Sequence, residues 1–475
     1  MKNLPIFVAL TMLLATSLTG CSGEDPEIND DADVGGDVSS APDADTDHQD
    51  PPDTSYDDAD SGLDDPDGAF DDTGGSDDDE FLSCPPLDPA QGHVVEVTAE
   101  DVADLPHMVR TAEPNTTFEF APGTYVLDET LHVRADGLSL RSSTDEAGDV
   151  IIDGAYDVGS LLFVNSSDVT IAHLTLKRPN HHAIHISPTG DAEESVVGSV
   201  IYSVRVFDAA QQQIKINGNS ARTAFVDDGH IECSWFELTD DGRPHVDPTA
   251  TGCYTGGINA HGARGWVVRN NDFVDLYCDG AGLSQHAVHF WTGSRDTVVE
   301  YNRIENCARG IGFGLRESGE ARTYDDLASE VDGYVDHFGG VIRNNIIYAD
   351  NPWYNTGIGL AQAPQARVLH NTIFDASAQE KFSSIDYRFE NTTASIHNNL
   401  TGRISLRNDA QGTVSHNLED IEADLFVDVE DRDFRLVESA TDAIEEGIEL
   451  DDAGLDMEGQ TRPRGDAPDI GAHEH

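Results

Sequence analysis

The chain has 475 residues, 38% hydrophobic content and a formal net charge of −63, so it is long enough for a large core but cannot be uniform along its length. From residue 84 onward it still carries 66 acidic against 26 basic residues, about −40. That balance argues against nucleic acid as a partner, because binding phosphates needs a basic footprint.

Residues 1–20 read as a secretory signal peptide: Lys2 supplies an early positive charge, an apolar run extends from Ile6 to about Leu14, and small residues lead to Cys21. The run is shorter than the roughly 20 apolar residues of a membrane-spanning helix. Leu18-Thr19-Gly20-Cys21 resembles a bacterial lipoprotein lipobox. The resemblance implies cleavage before Cys21 and acylation of its thiol and amine, palmitate included, so that the protein is lipid-anchored in the cell envelope. Ser22 rather than Asp after that cysteine favours the outer membrane or cell surface of a Gram-negative cell. Residues 21–83 hold 24 Asp or Glu and no Lys or Arg, among Gly, Pro and Ser. Such a tract is expected to be a disordered acidic linker, extended by self-repulsion, that holds the folded body away from the headgroups.

The body, 84–475, opens with an amphipathic helix expected near 99–112, which would cap its N-terminal end, and then with short strands such as FEFAPGTYVL and VIIDG. Beyond them an apolar-x-apolar unit recurs at Ile184/Ile186, Ile214/Ile216, Ile258/Ala260, Val288/Phe290, Ile311/Phe313, Ile358/Leu360, Ile385/Tyr387 and Ile404/Leu406. A second ladder runs through VVRNNDF, VVEYNRI, VIRNNII, VLHNTIF and SIHNNLT. Recurring short strands without intervening helices indicate a solenoid in which each turn buries its apolar face on its neighbours. These ladders, the opening PGTYVL…IIDG and the Asn-rich turns resemble the right-handed parallel β-helix of the pectin-lyase-like superfamily, over about residues 120–430. The terminal RPRGDAPDIGAHEH resembles the closing segment of bacterial surface β-helix proteins. Asn271, Asn302, Asn345 and Asn399 are read as a structural stack that satisfies turn backbone groups. With Cys21 acylated, five cysteines remain, so at most two disulfides are expected in an oxidising compartment.

Side chains alternate across a strand, so if the paired aliphatics point inward the residue between them points out. This gives one outward column of His185, Lys215, Asn259, His289, Gly312, Gly359, Asp386 and Ser405. A second column holds Asn217, His261, Trp291, Gly314, Arg388 and Arg407. Insertions at about 237–256 and 316–339 are expected to rise on opposite edges of this sheet and wall a groove. Trp291 would stack on a sugar ring, and glycines at 310, 312, 314, 357 and 359 would let a ligand approach the floor. Arg309, Arg316 and Arg322 border the second wall and could pair with a carboxylate or sulfate.

The superfamily resemblance implies a ligand that is an acidic polysaccharide, and for its lyases a β-elimination. On this chain Lys215 or His261 would be the base, His289 the proton donor, and Arg309 or Arg316 the carboxylate partner. His185, Asn217, Asn259, Trp291, Asp386 and Arg388 would line the substrate site. Two readings stay open beside it: a non-catalytic glycan-binding or adhesive surface protein, and a polygalacturonase-like hydrolase built on Asp227-Asp228. Calcium is the candidate cofactor, since several such lyases use it, but no carboxylate cluster in the sequence marks its site and no metal ligands are assigned. A monomer is expected.

Overall fold

The computed structural model describes residues 84–475 apart from 91, 191, 249–251, 281, 328–332 and 378–382. The signal segment, Cys21 and the acidic linker lie outside the described residues. Among the described residues no helix is long and apolar enough to cross a membrane.

The chain winds through three long parallel sheets of 12, 10 and 9 strands, to each of which a complete coil contributes one strand while the coils at the ends are incomplete. All eight expected rungs stack in a single register in the ten-stranded sheet, Ile184 on Ile214, then Ile258, Val288, Ile311, Ile358, Ile385 and Ile404. The stack begins two coils earlier, at Leu131 and Leu162, in strands whose apolar spacing is the same. The paired aliphatics fill the interior, and only the last rung is open: Leu406 is 55% exposed because no further coil covers it. The ten-stranded layer is the groove sheet, and the twelve-stranded layer is the asparagine sheet.

The second ladder falls on the asparagine sheet, where each coil must turn sharply into the nine-stranded sheet. A single left-handed residue makes the bend in six coils: Asn270 (φ 55°), Tyr301 (56°), Asn344 (53°), His370 (52°), Asn398 (58°) and His416 (51°). The next residue is asparagine each time. Nδ2 of Asn271 donates to Oδ1 of Asn302 at 3.0 Å, and the chain continues through Asn345, Asn371 and Asn399 to Asn417. Each Oδ1 also accepts the backbone N–H of the preceding asparagine, and each Nδ2 donates to a carbonyl one coil back, as Asn345 does to Val299 at 2.9 Å. The stack therefore pairs main-chain groups that the bend removes from the ladders. It confirms the structural reading of the four asparagines and adds Asn371 and Asn417.

The capping helix is shorter than expected. Thr98 and Asp101 close a capping box on a 3₁₀ turn at Ala99–Asp101, and an α-helix follows only over Leu105–Arg110. Pro106 sits in its first turn, where its missing N–H and fixed φ start a helix but cannot continue one from upstream. Leu105 and Val109 bury on the first coils. At the other end Phe426–Asp428 and Asp433–Leu436 pair antiparallel, and Phe426, Phe434, Leu436 and Ile470 form a second apolar cluster on Ile346, Tyr348 and Phe374. Two disulfides form, Cys84–Cys233 and Cys253–Cys278, and Cys307 is free and buried, in line with the limit of two.

Candidate functional site

Strand alternation puts the expected residues on the outer side of the groove sheet. His185, Lys215, Asn259 and His289 occupy matched positions on successive rungs, with Asp386 further along. The expectation of an exposed column needs correction, however. Lys215 is 6% exposed, Asn259 1%, His289 0% and Asp386 3%. Each faces outward and is covered by larger neighbours from the adjoining column and by the wall segments.

The covering contacts are specific. Trp291 stacks on His289 with ring centroids 4.9 Å apart, donates from Nε1 to Asn259 Oδ1 at 3.0 Å, and has the Arg316 guanidinium over its ring, 4.4 Å from the centroid. At 2% exposure Trp291 is covered and offers no bare platform to a sugar, which corrects its expected role. His289 lies beneath it, with Nε2 3.4 Å from the Gly314 carbonyl, so the proton donor expected there has no surface to present. Asn259 spends its carbonyl on the indole.

What remains at the groove is a pair. Lys215 Nζ lies 3.2 Å from His261 Nε2, and His261 Nδ1 lies 3.0 Å from Thr292 Oγ1. Burial holds the His261 imidazole well below its ordinary pKa, and the Lys215 and Arg316 cations act in the same direction. A neutral ring that accepts from an ammonium at Nε2 carries its proton on Nδ1 and donates it to Thr292. Burial likewise lowers His289 to about 3 and His185 to about 3, with Lys215 adding to both. His185 is half-buried and meets Asn217 Nδ2 through Nε2 at 3.4 Å.

On the same face a small pocket of ≈ 40 Å³ is lined by His286, Arg309, Leu315, Asn355, Gly359, Asp386 and Arg388. Asp386 is held from both oxygens by Arg407, at 2.7 and 2.9 Å, with Arg388 Nη1 3.7 Å away, so its role is to fix guanidinium groups. Arg388 also donates to the Leu315 carbonyl at 3.1 Å. Gly359 is open floor, but the other glycines answer to packing. A Cβ on Gly312 would lie 2.8 Å from His286 Nε2, and one on Gly310 would lie 2.2 Å from the Gly357 carbonyl.

One insertion precedes the strand Gly256–His261 and the other follows the strand Arg309–Phe313, so they join opposite ends of the groove strands. The first includes Arg243, which is buried and donates to the carbonyls of Asp275, Tyr277 and Leu238, and Cys253, tied to Cys278. The second is anchored by Asp336, whose carboxylate accepts from the N–H groups of Thr292, Leu315 and Arg316 and from the Tyr334 hydroxyl. Arg322 is spent on Asp227 at 2.6 and 2.9 Å, which also removes Asp227 as a catalytic carboxylate. Asp227 belongs to a small two-stranded sheet with Val196–Val197, off the groove.

His286 is the groove residue that strand alternation does not supply. It stands two before Val288 and would point inward in a regular strand, yet Ala287 and Val288 are both fully buried core residues. The His286 ring nevertheless lies against His289 on the groove side, with the two ring centroids 4.4 Å apart. His182-Ala183-Ile184 repeats the arrangement, and the shared His-Ala-aliphatic-His string was the available signal. Among the described residues, a group of three side chains with metal-ligand geometry lies elsewhere, at Asp456, Glu458 and His473.

A family model described as a right handed β-helix region matches residues 159–334. Among solved structures the chain is similar to a pectate lyase, at 12% identity over 83% of this chain and 100% of that one with a TM-score of 0.49. It is also similar to an alginate lyase from a Paenibacillus species (12% identity, 69% and 99% covered, TM-score 0.40) and to a surface adhesin of Streptococcus pneumoniae (12%, 68% and 89%, 0.42). No curated protein sequence matches the chain. The family model and the stacked parallel sheets show the fold, a right-handed parallel β-helix.

Proposed function

We propose that the groove binds an acidic polysaccharide and cleaves it by β-elimination, with Lys215 and His261 handling the protons. The observation that carries this reading is the 3.2 Å contact between the two nitrogens, a lysine and a neutral imidazole at a groove otherwise furnished with guanidinium groups. Arg309, Arg316, Arg388 and Arg407 share this face, while the body as a whole has an excess of about 40 negative charges. A cationic groove in an acidic body draws in a polyanion and repels it elsewhere.

In the proposed reaction Arg316 or Arg309 pairs with the uronate carboxylate, which stabilises the charge that develops when C5 loses its proton. His261 Nε2 takes that proton once substrate displaces the Lys215 ammonium from it. The C–H electron pair becomes the C4–C5 double bond, the C4–O bond breaks, and the displaced Lys215 ammonium protonates the departing oxygen. This moves the donor role from His289 to Lys215. The test is the ultraviolet absorbance of new unsaturated ends when the full-length protein meets alginate, pectate, chondroitin sulfate or heparin. Lys215→Ala should abolish the signal, and a fully active variant removes the assignment.

Binding without turnover is the second reading, and the burial of His289 and Trp291 favours it, because the ligand then meets chiefly arginines. Retained binding with no new ends of either kind selects it. The hydrolase reading requires two free carboxylates across a bond, whereas Asp386 is committed to arginines. We also infer that Cys21 is acylated and anchors a monomer at the outer membrane or cell surface; mass spectrometry of the mature N-terminus tests this.

A further inference from the structure

We propose that Asp456, Glu458 and His473 form a site for a borderline divalent cation, zinc above others, which fastens the C-terminal closing segment to the turn preceding it. One donor atom from each of the three lies within 4.8 Å of the others. The site is independent of the groove. Its turn packs on the asparagine sheet, where the Leu455 N–H donates to the Tyr301 hydroxyl at 3.0 Å.

The second observation is His473. It is 5% exposed, yet neither ring nitrogen has a hydrogen-bond partner. A buried polar group left unpaired costs on the order of 1–3 kcal/mol, and an imidazole aimed at two carboxylates is one metal bond away from being satisfied. Surrounding contacts hold the donors in place. Asp456 Oδ1 accepts the N–H groups of Glu458 (2.9 Å) and Gln460 (2.7 Å), and its Oδ2 accepts that of Glu474 (2.9 Å). Each carboxylate oxygen has two lone pairs, so Oδ2 keeps one to give. The Met457 N–H donates to the Ala472 carbonyl at 2.9 Å, so the turn and the closing segment already lie side by side.

The donor set selects the ion. One imidazole nitrogen and two carboxylate oxygens suit zinc and its first-row neighbours, whereas calcium takes six to eight oxygens. Glu458 is exposed, which provides an entry path and leaves room for water as a fourth ligand. Competing partners are weak: Gln460 Nε2 reaches Glu458 Oε2 at 3.0 Å and Arg435 stands 3.8 Å from Oε1. Arg462, the nearby buried cation, is paired with Glu474.

The test uses the full-length protein stripped with EDTA and titrated with zinc chloride against a chromophoric chelator. Wild type should take up one more tight equivalent than His473→Ala or Glu458→Gln, and zinc should raise its unfolding midpoint by roughly 2–5 °C, a shift both variants lose. Glu458 is at the surface, so its amide variant keeps the fold even if His473→Ala does not. Equal uptake by wild type and Glu458→Gln would place the zinc on other histidines or the acidic linker and overturn the proposal. A preference for calcium chloride over zinc chloride, or no midpoint shift, overturns it too.

Discussion

Two stacks of equivalent positions run along this solenoid, and they differ in what fills them. At the corner of the asparagine sheet the same side chain recurs from Asn271 to Asn417, and each copy makes the same bonds to its neighbours. On the outside of the groove sheet the corresponding positions hold His, Lys, Asn, His, Gly, Gly, Asp and Ser. A backbone problem posed identically in every coil receives an identical answer. Where the backbone poses no problem, rungs are free to differ, and variety marks the face on which a ligand could be recognised.

This contrast breaks most sharply at the asparagines. Asn345→Ala would strand the Asn302 N–H and the carbonyls of Val299 and Arg343, and at about 1–3 kcal/mol for each stranded group a loss of at least about 3 kcal/mol is expected in urea unfolding. A loss under 1 kcal/mol, by contrast, would mean that the corner needs no stack. The groove should respond instead to acid. Burial lowers the folded-state pKa of His289 to about 3, below its unfolded value of 6.5, so the unfolded chain takes up the proton first. Its contribution is complete above pH 6.5 and is lost as pH falls toward 3, reaching up to about 2 kcal/mol by pH 5. A His289→Gln variant should show a flatter stability profile between pH 7 and 5 than wild type; parallel profiles refute the neutral buried imidazole.

Smaller effects sharpen the distinction. Gly312→Ala would push the His286 ring aside, with about 1 kcal/mol lost and ligand affinity changed more than stability. Lys215→Ala should cost about 1 kcal/mol or less in unfolding while removing turnover, since Lys215 packs on the outside of the sheet. If it unfolds the protein as Asn345→Ala does, the groove column is structural after all.

The apolar-x-apolar unit was enough to set the rungs, their order and their inward parity, because a one-residue slip would turn every aliphatic of a coil into water. The asparagine stack was legible for the same reason: repetition along the chain is visible without coordinates. Sequence also marked Lys215 and His261 as neighbours on one face, and in the structure their side-chain nitrogens lie 3.2 Å apart. Exposure was not legible. Whether Trp291 presents a face or lies under Arg316, and whether Arg322 awaits a ligand or binds Asp227 ninety-five residues away, depends on how two long insertions fold back over the sheet. A strand's period fixes which way a side chain points; only the packing of remote segments decides what then covers it.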